Sequence, residues 1–220
     1  MTGTAAVTTI LLIRHGETAW NAVRRLQGHI DIALNDEGLR QADALAHALA
    51  GERIDAIVAS DLQRALQTAQ AVAGHHGVPV VQDAQLRERC YGVFEGMLYA
   101  DIARAYPADF AAWQARDVDA VMPPGERVAE SFRQFYGRCV AALGHWAECH
   151  RGQTIAIVAH GGVLECAYRA ATAMALDGPR DFQVRNASIN RFTFDAGALA
   201  LAQWGDVRHL DREAALDDLT

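Results

Sequence analysis

The chain has 220 residues, of which 51% are hydrophobic, and a formal charge of −7 at pH 7. This length suits one domain with an appendage and a full core, whereas the negative charge argues against nucleic acid or an anionic membrane as a partner. All 20 residues counted as Lys plus Arg are arginine, which excludes catalysis by a lysine Schiff base or a Walker-type lysine. The guanidinium groups that are present can bind phosphate or carboxylate bidentately.

Short β-branched runs alternate with helical patterns in the N-terminal half of the chain. In order, the pattern predicts a strand over 7–13, a helix over 35–50 that Gly51 ends, a strand over 56–59, a helix over 61–73 that Gly74 ends, and a strand over 78–81. Four apolar residues of the first helix are expected to face the core, namely Leu39, Ala42, Leu45 and Leu49. Pro79 places the last strand at a sheet edge, because proline cannot donate to a central ladder.

The C-terminal half begins with a less regular segment over 97–124, predicted to cap the sheet, in which Pro107 interrupts a weak helical pattern. The pattern then predicts a helix over 126–148, a strand over 154–159, a helix over 163–176 that Gly178-Pro179 ends, and a hairpin of strands 188–194 and 198–204. The acidic last ten residues are expected to be loosely held. We expect one α/β domain over 1–220, a three-layer sandwich whose mostly parallel central sheet has helices on both faces, an antiparallel edge and a small cap.

Neither the cysteine spacing nor the histidine spacing indicates a metal site. The four cysteines fit no zinc pattern and are interpreted as free thiols, and the chain has no HxH or HExxH motif. The apolar stretch near the N-terminus is short and lacks a basic leader, which favours a strand over a signal peptide. Because no segment approaches the length of a membrane span, the sequence predicts a cytoplasmic protein.

Two histidines follow similar apolar runs. His15 follows the first predicted strand, and His160 follows the strand over 154–159. Since the carboxyl ends of parallel strands form the ligand crevice of an open α/β sheet, we expect both imidazoles to meet in one site. Arg14 beside His15 favours an anionic ligand.

A third predicted strand ends before Ser60 and Asp61, and either residue can cap the next helix, with Arg64 one turn inside it. An arginine and the positive end of a helix dipole beside two histidines suit a phosphoryl group. A neutral imidazole is a good nucleophile near pH 7, so His15 is a phosphoryl acceptor, an ordinary core histidine or a metal-bound histidine. Glu88, in a loop after the edge strand, is either the acid that protonates a leaving alkoxide or a surface residue.

Several further segments join these residues into an ordered set of motifs. They are Leu12-Ile13-Arg14-His15-Gly16-Glu17-Thr18 with Asn21, Arg25-Leu26-Gln27-Gly28, Ser60-Asp61-Leu62-Gln63-Arg64-Ala65 with Thr68, Leu86-Arg87-Glu88, Phe94-Glu95-Gly96, Pro124-Gly125-Glu126 and Val158-Ala159-His160-Gly161-Gly162. Over most of its length the chain thereby resembles the histidine phosphatase superfamily, also called phosphoglycerate-mutase-like. Motifs in this order on these elements are not expected by chance.

The resemblance implies a phosphotransfer enzyme in which His15 becomes a phosphohistidine and Glu88 donates a proton. The residues implied to bind the phosphoryl group are Arg14, Arg64 and His160. The positions that match the lining of the family's substrate pocket are Asn21, Gln27, Gly28 and Gly161. Tyr91 is a further substrate-binding candidate, because it follows Glu88 at the Glu-x-x-Tyr spacing. No metal or other cofactor is implied, because arginine and histidine replace it as the electrostatic clamp. The implied partner is a small phosphorylated metabolite, and a homodimer is compatible with the sequence.

Three outcomes remain open within this resemblance. The Glu-x-x-Tyr spacing from Glu88 to Tyr91 is that of the glycolytic mutases, but their longer insertion carries a lysine and an arginine pair, whereas 97–124 holds only Arg104 and Arg116. The segments 185–189 and 205–210 resemble the bacterial second-mutase type, whose members look more like broad phosphatases. Hydrolysis of phosphomonoesters is therefore favoured, phosphoglycerate mutase is the alternative, and a phosphometabolite-binding module without turnover is the third hypothesis.

Overall fold

The computed structural model describes residues 6–210 and residue 216. The strands formed by these residues are β1 (Thr8–Arg14), β2 (Ala56–Ala59), β3 (Val80–Gln82), β4 (Thr154–Ala159), β5 (Ile189–Asp195) and β6 (Ala198–Asp206). They build one sheet in the order β3-β2-β4-β1-β5-β6. The strands from β1 to β4 pair in parallel, whereas β5 and β6 are antiparallel to their neighbours. The mostly parallel sheet, its antiparallel edge and the edge position of β3 are thus confirmed.

Helices cover both faces of this sheet. They are α1 (Ala19–Ala22), α2 (Asp36–Leu49), α3 (Gln63–His76), α4 (Tyr99–Ala105), α5 (Pro107–Gln114), α6 (Phe132–Cys149) and α7 (Gly161–Thr172). Alternate side chains of a strand point to opposite faces, so Ile10 and Leu12 of β1 pack with α6 and α7. Leu11 and Ile13 pack on the other face with α2 and α3. The predicted three-layer sandwich is confirmed, and both faces of β1 are buried as its continuous apolar run requires.

The predicted limits and cap of α3 were wrong. Gly74 lies inside the helix, which ends at His76, and Gly77 adopts a left-handed conformation with φ of 66° as the C-cap. At the other end the N-cap is Leu62, which makes no side-chain capping hydrogen bond. Asp61 instead accepts two hydrogen bonds from Arg87, at 2.7 and 2.6 Å. The first N–H of the helix, that of Gln63, donates to Oδ1 of Asp31 at 2.7 Å.

Three further helix predictions need correction. Leu39 is 48% exposed. The buried face of α2 includes its neighbour Gly38, and successive helical residues are rotated by about 100° around the axis, which places Leu39 outside that face. The segment predicted to begin α6 at 126 is not helical; Ser131 caps the helix, and Val128 is 79% exposed. Helix α7 begins at Gly161 and ends at Thr172, well before Gly178.

The segment over 97–124 is more regular than predicted. It contains α4 and α5, and Pro107 occupies the first turn of α5, where the missing amide hydrogen costs no helical hydrogen bond. Ile102 and Met122 of this region are buried in an apolar cluster with Leu26, Tyr91, Phe94 and Ala129. The bounds of the cap-like insertion and the assignment of 1–220 to one domain stay predictions.

Two remaining sequence predictions concern thiols and membranes. In the part of the chain that the structure describes, Cys90, Cys139, Cys149 and Cys166 are all free. No helix within the described residues is long and apolar enough to cross a membrane. The acidic C-terminal segment, apart from residue 216, lies outside the described residues.

Candidate active site

The pairing of β1 with β4 brings His15 and His160 together. In this register Arg14 lies opposite Ala159, and the backbone N–H of His15 donates to the Ala159 carbonyl at 3.0 Å. The two imidazole rings meet edge to face, with centroids 5.2 Å apart and an interplanar angle of 62°. The expectation that strand order would unite these distant residues is therefore met.

The backbone around His15 fixes its ring and its tautomer. Nδ1 of His15 lies 2.6 Å from the Gly16 carbonyl oxygen, which can only accept a hydrogen bond. Nδ1 therefore carries the proton of the neutral ring, and Nε2 carries the lone pair. Gly16 has no room for a side chain, because a Cβ there would lie 2.5 Å from the Gly38 carbonyl oxygen. This arrangement suits a nucleophile that reacts through Nε2.

Two buried arginines stand beside the histidines. Arg14 donates to the Val184 carbonyl at 2.5 Å. Arg64 donates to the carbonyl oxygens of Gly28 and Ile30, at 2.8 and 3.0 Å. Because backbone carbonyls orient both guanidinium groups, each is preorganised to bind an anion.

His160 is a buried neutral imidazole. Its pKa is well below the usual range, first because burial penalises the charged ring and next because Arg64 and His15 lie close. Neither ring nitrogen has a hydrogen-bond partner among the described residues. A buried polar group without a hydrogen bond lowers the stability of the fold, so binding of a ligand oxygen that forms this hydrogen bond is favoured.

Four of the five predicted catalytic residues line one pocket, namely Arg14, His15, Arg64 and Glu88. His160 does not line it; its buried ring meets the ring of His15. Four of the predicted substrate-binding residues also line the pocket, namely Asn21, Gln27, Gly28 and Tyr91. Sequence reasoning gave no role to Arg25, Leu26 and Tyr99, which also line this pocket. Gly161 does not line the pocket; it is the buried first residue of α7.

The substrate-binding candidates differ in what their side chains do. Asn21 uses Oδ1 to accept from the Thr18 backbone and hydroxyl, at 2.9 and 2.8 Å, which fixes the short α1. Gln27 is buried, and its Oε1 has no hydrogen-bond partner in the described part of the chain. Gly28 has a φ of 52°, and its carbonyl orients Arg64. Burial raises the pKa of the Tyr91 phenol well above 10, so this hydroxyl stays protonated.

Glu88 is a buried carboxyl group that lines this pocket. Its carboxyl oxygens accept from the backbone N–H groups of Arg89 and Gly162, at 2.7 and 3.0 Å. Burial raises the pKa of Glu88, and these two hydrogen bonds together with the charges of Arg64 and Arg14 offset only part of that rise. The carboxyl group therefore holds its proton to a higher pH than an exposed glutamate does, as general acid catalysis requires.

The contact between Gly162 and Glu88 gives a direct prediction. A Cβ on residue 162 would lie 2.2 Å from Oε1 of Glu88 and 2.8 Å from the Phe135 ring, so Gly162→Ala must displace the carboxyl group. We expect kcat/KM for an alkyl phosphate to fall by about 10², the scale for a catalytic group misplaced by about 1 Å.

Gly74→Ala is the matched control for this substitution. No atom lies within 4 Å of a Cβ at residue 74, and the substitution lies inside α3. Steady-state kinetics of both variants check the prediction. An unchanged rate in a folded Gly162→Ala enzyme would show that the position of Glu88 does not limit the reaction.

Sequence reasoning missed the residues that hold the Glu88 loop. Arg138 of α6 donates to the carbonyl oxygens of Gln85, Arg87 and Glu88, at 2.7, 3.1 and 3.2 Å. Nε2 of His29 donates to the Glu88 carbonyl at 2.7 Å. No local pattern marks an arginine of a distant helix as the anchor of a loop, so only tertiary structure reveals this role.

Glu95 is a second missed residue, although its motif was visible in the sequence. Its Oε1 accepts from the backbone N–H groups of His29 and Tyr91, at 2.8 and 3.1 Å. A Cβ on Gly28 would lie 2.1 Å from the same oxygen, which explains why glycine stands at that position. Glu95 thus joins two loops that line the pocket.

Comparisons with known proteins place this geometry in context. The profile of the histidine phosphatase superfamily (branch 1) matches residues 10–207. Phosphoglycerate mutase-like protein 4 of Arabidopsis thaliana is 38% identical over 210 residues, which cover 94% of this chain and 89% of that protein. The metal-independent phosphoserine phosphatase of the same plant is 37% identical, with 93% and 84% covered. The structure of Bacillus stearothermophilus YhfR aligns with a TM-score of 0.83 at 34% identity, covering 92% of this chain and 98% of YhfR.

Proposed function

The chain belongs to the histidine phosphatase superfamily, and we propose that it hydrolyses phosphomonoesters of small metabolites through a phosphohistidine formed at His15. The observation that carries the proposal is the pair of facing imidazoles. His15 presents a lone pair on Nε2, and the buried nitrogens of His160 lack a partner within the described residues. A phosphoryl group between these rings meets a nucleophile and a hydrogen-bond donor at once.

In the first step, Nε2 of His15 attacks the phosphorus atom and the bond from phosphorus to the alcohol oxygen breaks. Arg14, Arg64 and His160 bind the equatorial oxygens, where negative charge must be stabilised in the transition state. Glu88 gives its proton to the departing oxygen, so that a neutral alcohol leaves and a carboxylate remains.

In the second step, water attacks the phosphohistidine. The Glu88 carboxylate now accepts a proton from that water, the bond from phosphorus to Nε2 breaks, and inorganic phosphate is formed. Glu88 and the neutral His15 are thereby regenerated. One carboxyl group serves as acid and then as base, and its pKa, which burial raises, lets the acid form persist to a higher pH than in an exposed glutamate.

The described side chains favour hydrolysis over mutase activity. A mutase must retain a doubly phosphorylated intermediate, which requires cations beyond the first phosphoryl site. Arg104 of the cap is 81% exposed and pairs with Asp101, and Arg116 pairs with Glu165. Phosphoglycerate mutase stays the alternative, because the spacing of Glu88 and Tyr91 and the names of several relatives favour it.

The partner and the compartment follow from the same proposal. The substrate is a small phosphorylated metabolite, as the phosphoserine phosphatase relative suggests. Neither nucleic acid nor a membrane is expected to bind a chain with a net charge of −7. We propose a cytoplasmic enzyme, and sedimentation of the purified protein distinguishes a monomer from a homodimer.

Release of inorganic phosphate in the presence of EDTA tests the proposed function. We expect phosphomonoester hydrolysis at an undiminished rate, because Arg14, Arg64 and His160 supply the clamp that a metal ion supplies elsewhere. Loss of activity on chelation, restored by a divalent ion, would contradict the prediction. Conversion of 3-phosphoglycerate to 2-phosphoglycerate would identify a mutase, and stoichiometric binding without phosphate release would identify a binding module.

A further inference from the structure

One arginine of α6 holds the loop that carries Glu88. A guanidinium group has five N–H donors in a rigid planar fork, and in Arg138 each of the five has an acceptor. Two of the acceptors are the carboxylate oxygens of Glu130, at 2.8 and 2.7 Å. The other three are the carbonyl oxygens of Gln85, Arg87 and Glu88. Every N–H donor of this guanidinium group is thus used within the described part of the chain.

Glu130 binds the same loop directly. Its Oε2 accepts from the Cys90 N–H at 3.0 Å, and its own backbone N–H donates to the Cys90 carbonyl at 3.0 Å. The carbonyl oxygen of Glu130 accepts from Nε of Arg89 at 2.9 Å. The chain is therefore fixed on both sides of Glu88, and we call the pair of Glu130 and Arg138 the loop clamp.

The loop clamp is a charged pair that is largely shielded from water. The side chains of Arg138 and Glu130 are 16% and 22% exposed. Burial alone would raise the pKa of Glu130, but the hydrogen bonds from Arg138 and from the Cys90 N–H lower it below its usual value. A lysine could not replace this arginine, because an ammonium group offers three donors and no fixed plane.

The same turn of α6 also contacts the group that holds the Glu88 carboxyl. The Arg138 guanidinium lies 5.1 Å from the centre of the Phe135 ring. That ring lies so close to Gly162 that a Cβ there would be 2.8 Å from it. The N–H of Gly162 donates to Oε2 of Glu88 at 3.0 Å. Contacts from one turn of α6 therefore support both the backbone and the carboxyl group of Glu88.

The loop clamp itself stands outside the site of the reaction. Among the described residues, the walls of the pocket that contains His15 and Glu88 include neither Arg138 nor Glu130. The contacts of the clamp reach that pocket through the loop that carries Glu88.

We propose that Arg138, held by Glu130, is a positioning residue that sets where the Glu88 carboxyl group stands for proton transfer to the leaving alcohol. This inference rests on the proposed hydrolase function and adds two residues to the acid on which that function depends. A general acid must lie within hydrogen-bond reach of the oxygen that it protonates. A displacement of about 1 Å, caused by a substitution far from the chemistry, is enough to lower the rate by about 10².

Arg138→Lys tests the proposal, because it keeps the positive charge and removes the planar fork. We expect kcat/KM for benzyl phosphate to fall by about tenfold to 10², since the alkoxide then departs without a well-placed acid. The value for p-nitrophenyl phosphate, a compound of similar size whose leaving group needs no proton, should change by less than about twofold. Arg133→Lys is the matched control, because Arg133 lies in the same helix but is exposed and pairs bidentately with Asp119.

Two further variants separate positioning from support of the fold. Glu130→Gln keeps the shape of the side chain and weakens the clamp, so the ratio of kcat/KM for benzyl over p-nitrophenyl phosphate should fall by about threefold to tenfold. Adding Arg138→Lys to Glu88→Gln should lower hydrolysis of benzyl phosphate no further, because a positioning residue has no effect once the acid is absent.

The outcomes separate this inference from the function on which it rests. Equal losses with both substrates in Arg138→Lys, or an unchanged ratio in that variant, would overturn the inference while release of phosphate still supports the hydrolase. A further loss in the double variant would also overturn it, because Arg138 would then act other than through Glu88. If the wild-type enzyme releases phosphate from neither compound, the proposed function itself fails. Thermal melting confirms that each variant is folded, and the ratio in Glu130→Gln decides the question if Arg138→Lys does not fold.

Discussion

Replacing Glu88 by glutamine is expected to lower kcat/KM for alkyl phosphates by about 10² to 10⁴, the usual contribution of general acid catalysis. An alkoxide is a poor leaving group and requires a proton as it departs, whereas p-nitrophenolate leaves without one. Hydrolysis of p-nitrophenyl phosphate should therefore fall far less. Parallel measurements on the two substrates provide the test, with Glu148→Gln at an exposed position of α6 as the control.

The pH dependence should change in the same variant. Burial raises the pKa of Glu88, so the acid form persists above the usual range and is lost as the pH rises through that raised value. The wild-type profile for an alkyl phosphate should fall at high pH for this reason, and the fall should flatten in Glu88→Gln. If both classes of substrate lose activity equally, Glu88 positions the substrate or supports the fold, and His160 becomes the next candidate for the acid.

Replacing Arg64 by alanine is expected to lower the rate by about 10² to 10³, the scale for removing one preorganised donor. The carbonyl oxygens of Gly28 and Ile30 already orient this guanidinium group, so little reorganisation is needed when the phosphoryl group arrives. The loss should appear with alkyl and aryl phosphates alike, because Arg64 acts on the phosphoryl oxygens and not on the leaving group.

Arg40→Ala is the control for Arg64→Ala, because the Arg40 side chain is exposed on α2. Single-turnover rates at saturating substrate measure the effect on the chemical step. A folded Arg64→Ala enzyme that loses less than about tenfold would mean that other groups stabilise the transferring phosphoryl group.

The sequence predicted that His15 and His160 would meet because strand ends are strongly specified. The runs before His15 and His160 are continuously apolar, so they become neighbouring buried strands, and the parallel register then brings the two rings together. The end of the neighbouring strand β2 likewise predicted that Arg64, in the helix that follows, lies near the two histidines, although the predicted cap of that helix was wrong.

The features that escaped prediction depend on contacts between distant segments. The N–H group of Gly162, at the start of α7, holds the Glu88 carboxyl group, and Arg138 of α6 anchors the Glu88 loop from the same helix layer. The end of α3 was misplaced because the chain offers both Gly74 and Gly77, and only the second adopts the left-handed cap. Local patterns cannot rank such alternatives, because tertiary packing decides between them.

Trapping of the covalent intermediate tests the central claim most directly. Wild-type enzyme is mixed briefly with a phosphomonoester labelled in its phosphoryl group, quenched under alkaline denaturing conditions and digested, with His15→Ala treated identically. The account predicts acid-labile, base-stable label on the peptide that contains His15, as expected of a phosphoramidate, and no label in the variant. Label on a carboxylate or a serine, or no label in a rapid quench of an active preparation, would contradict it.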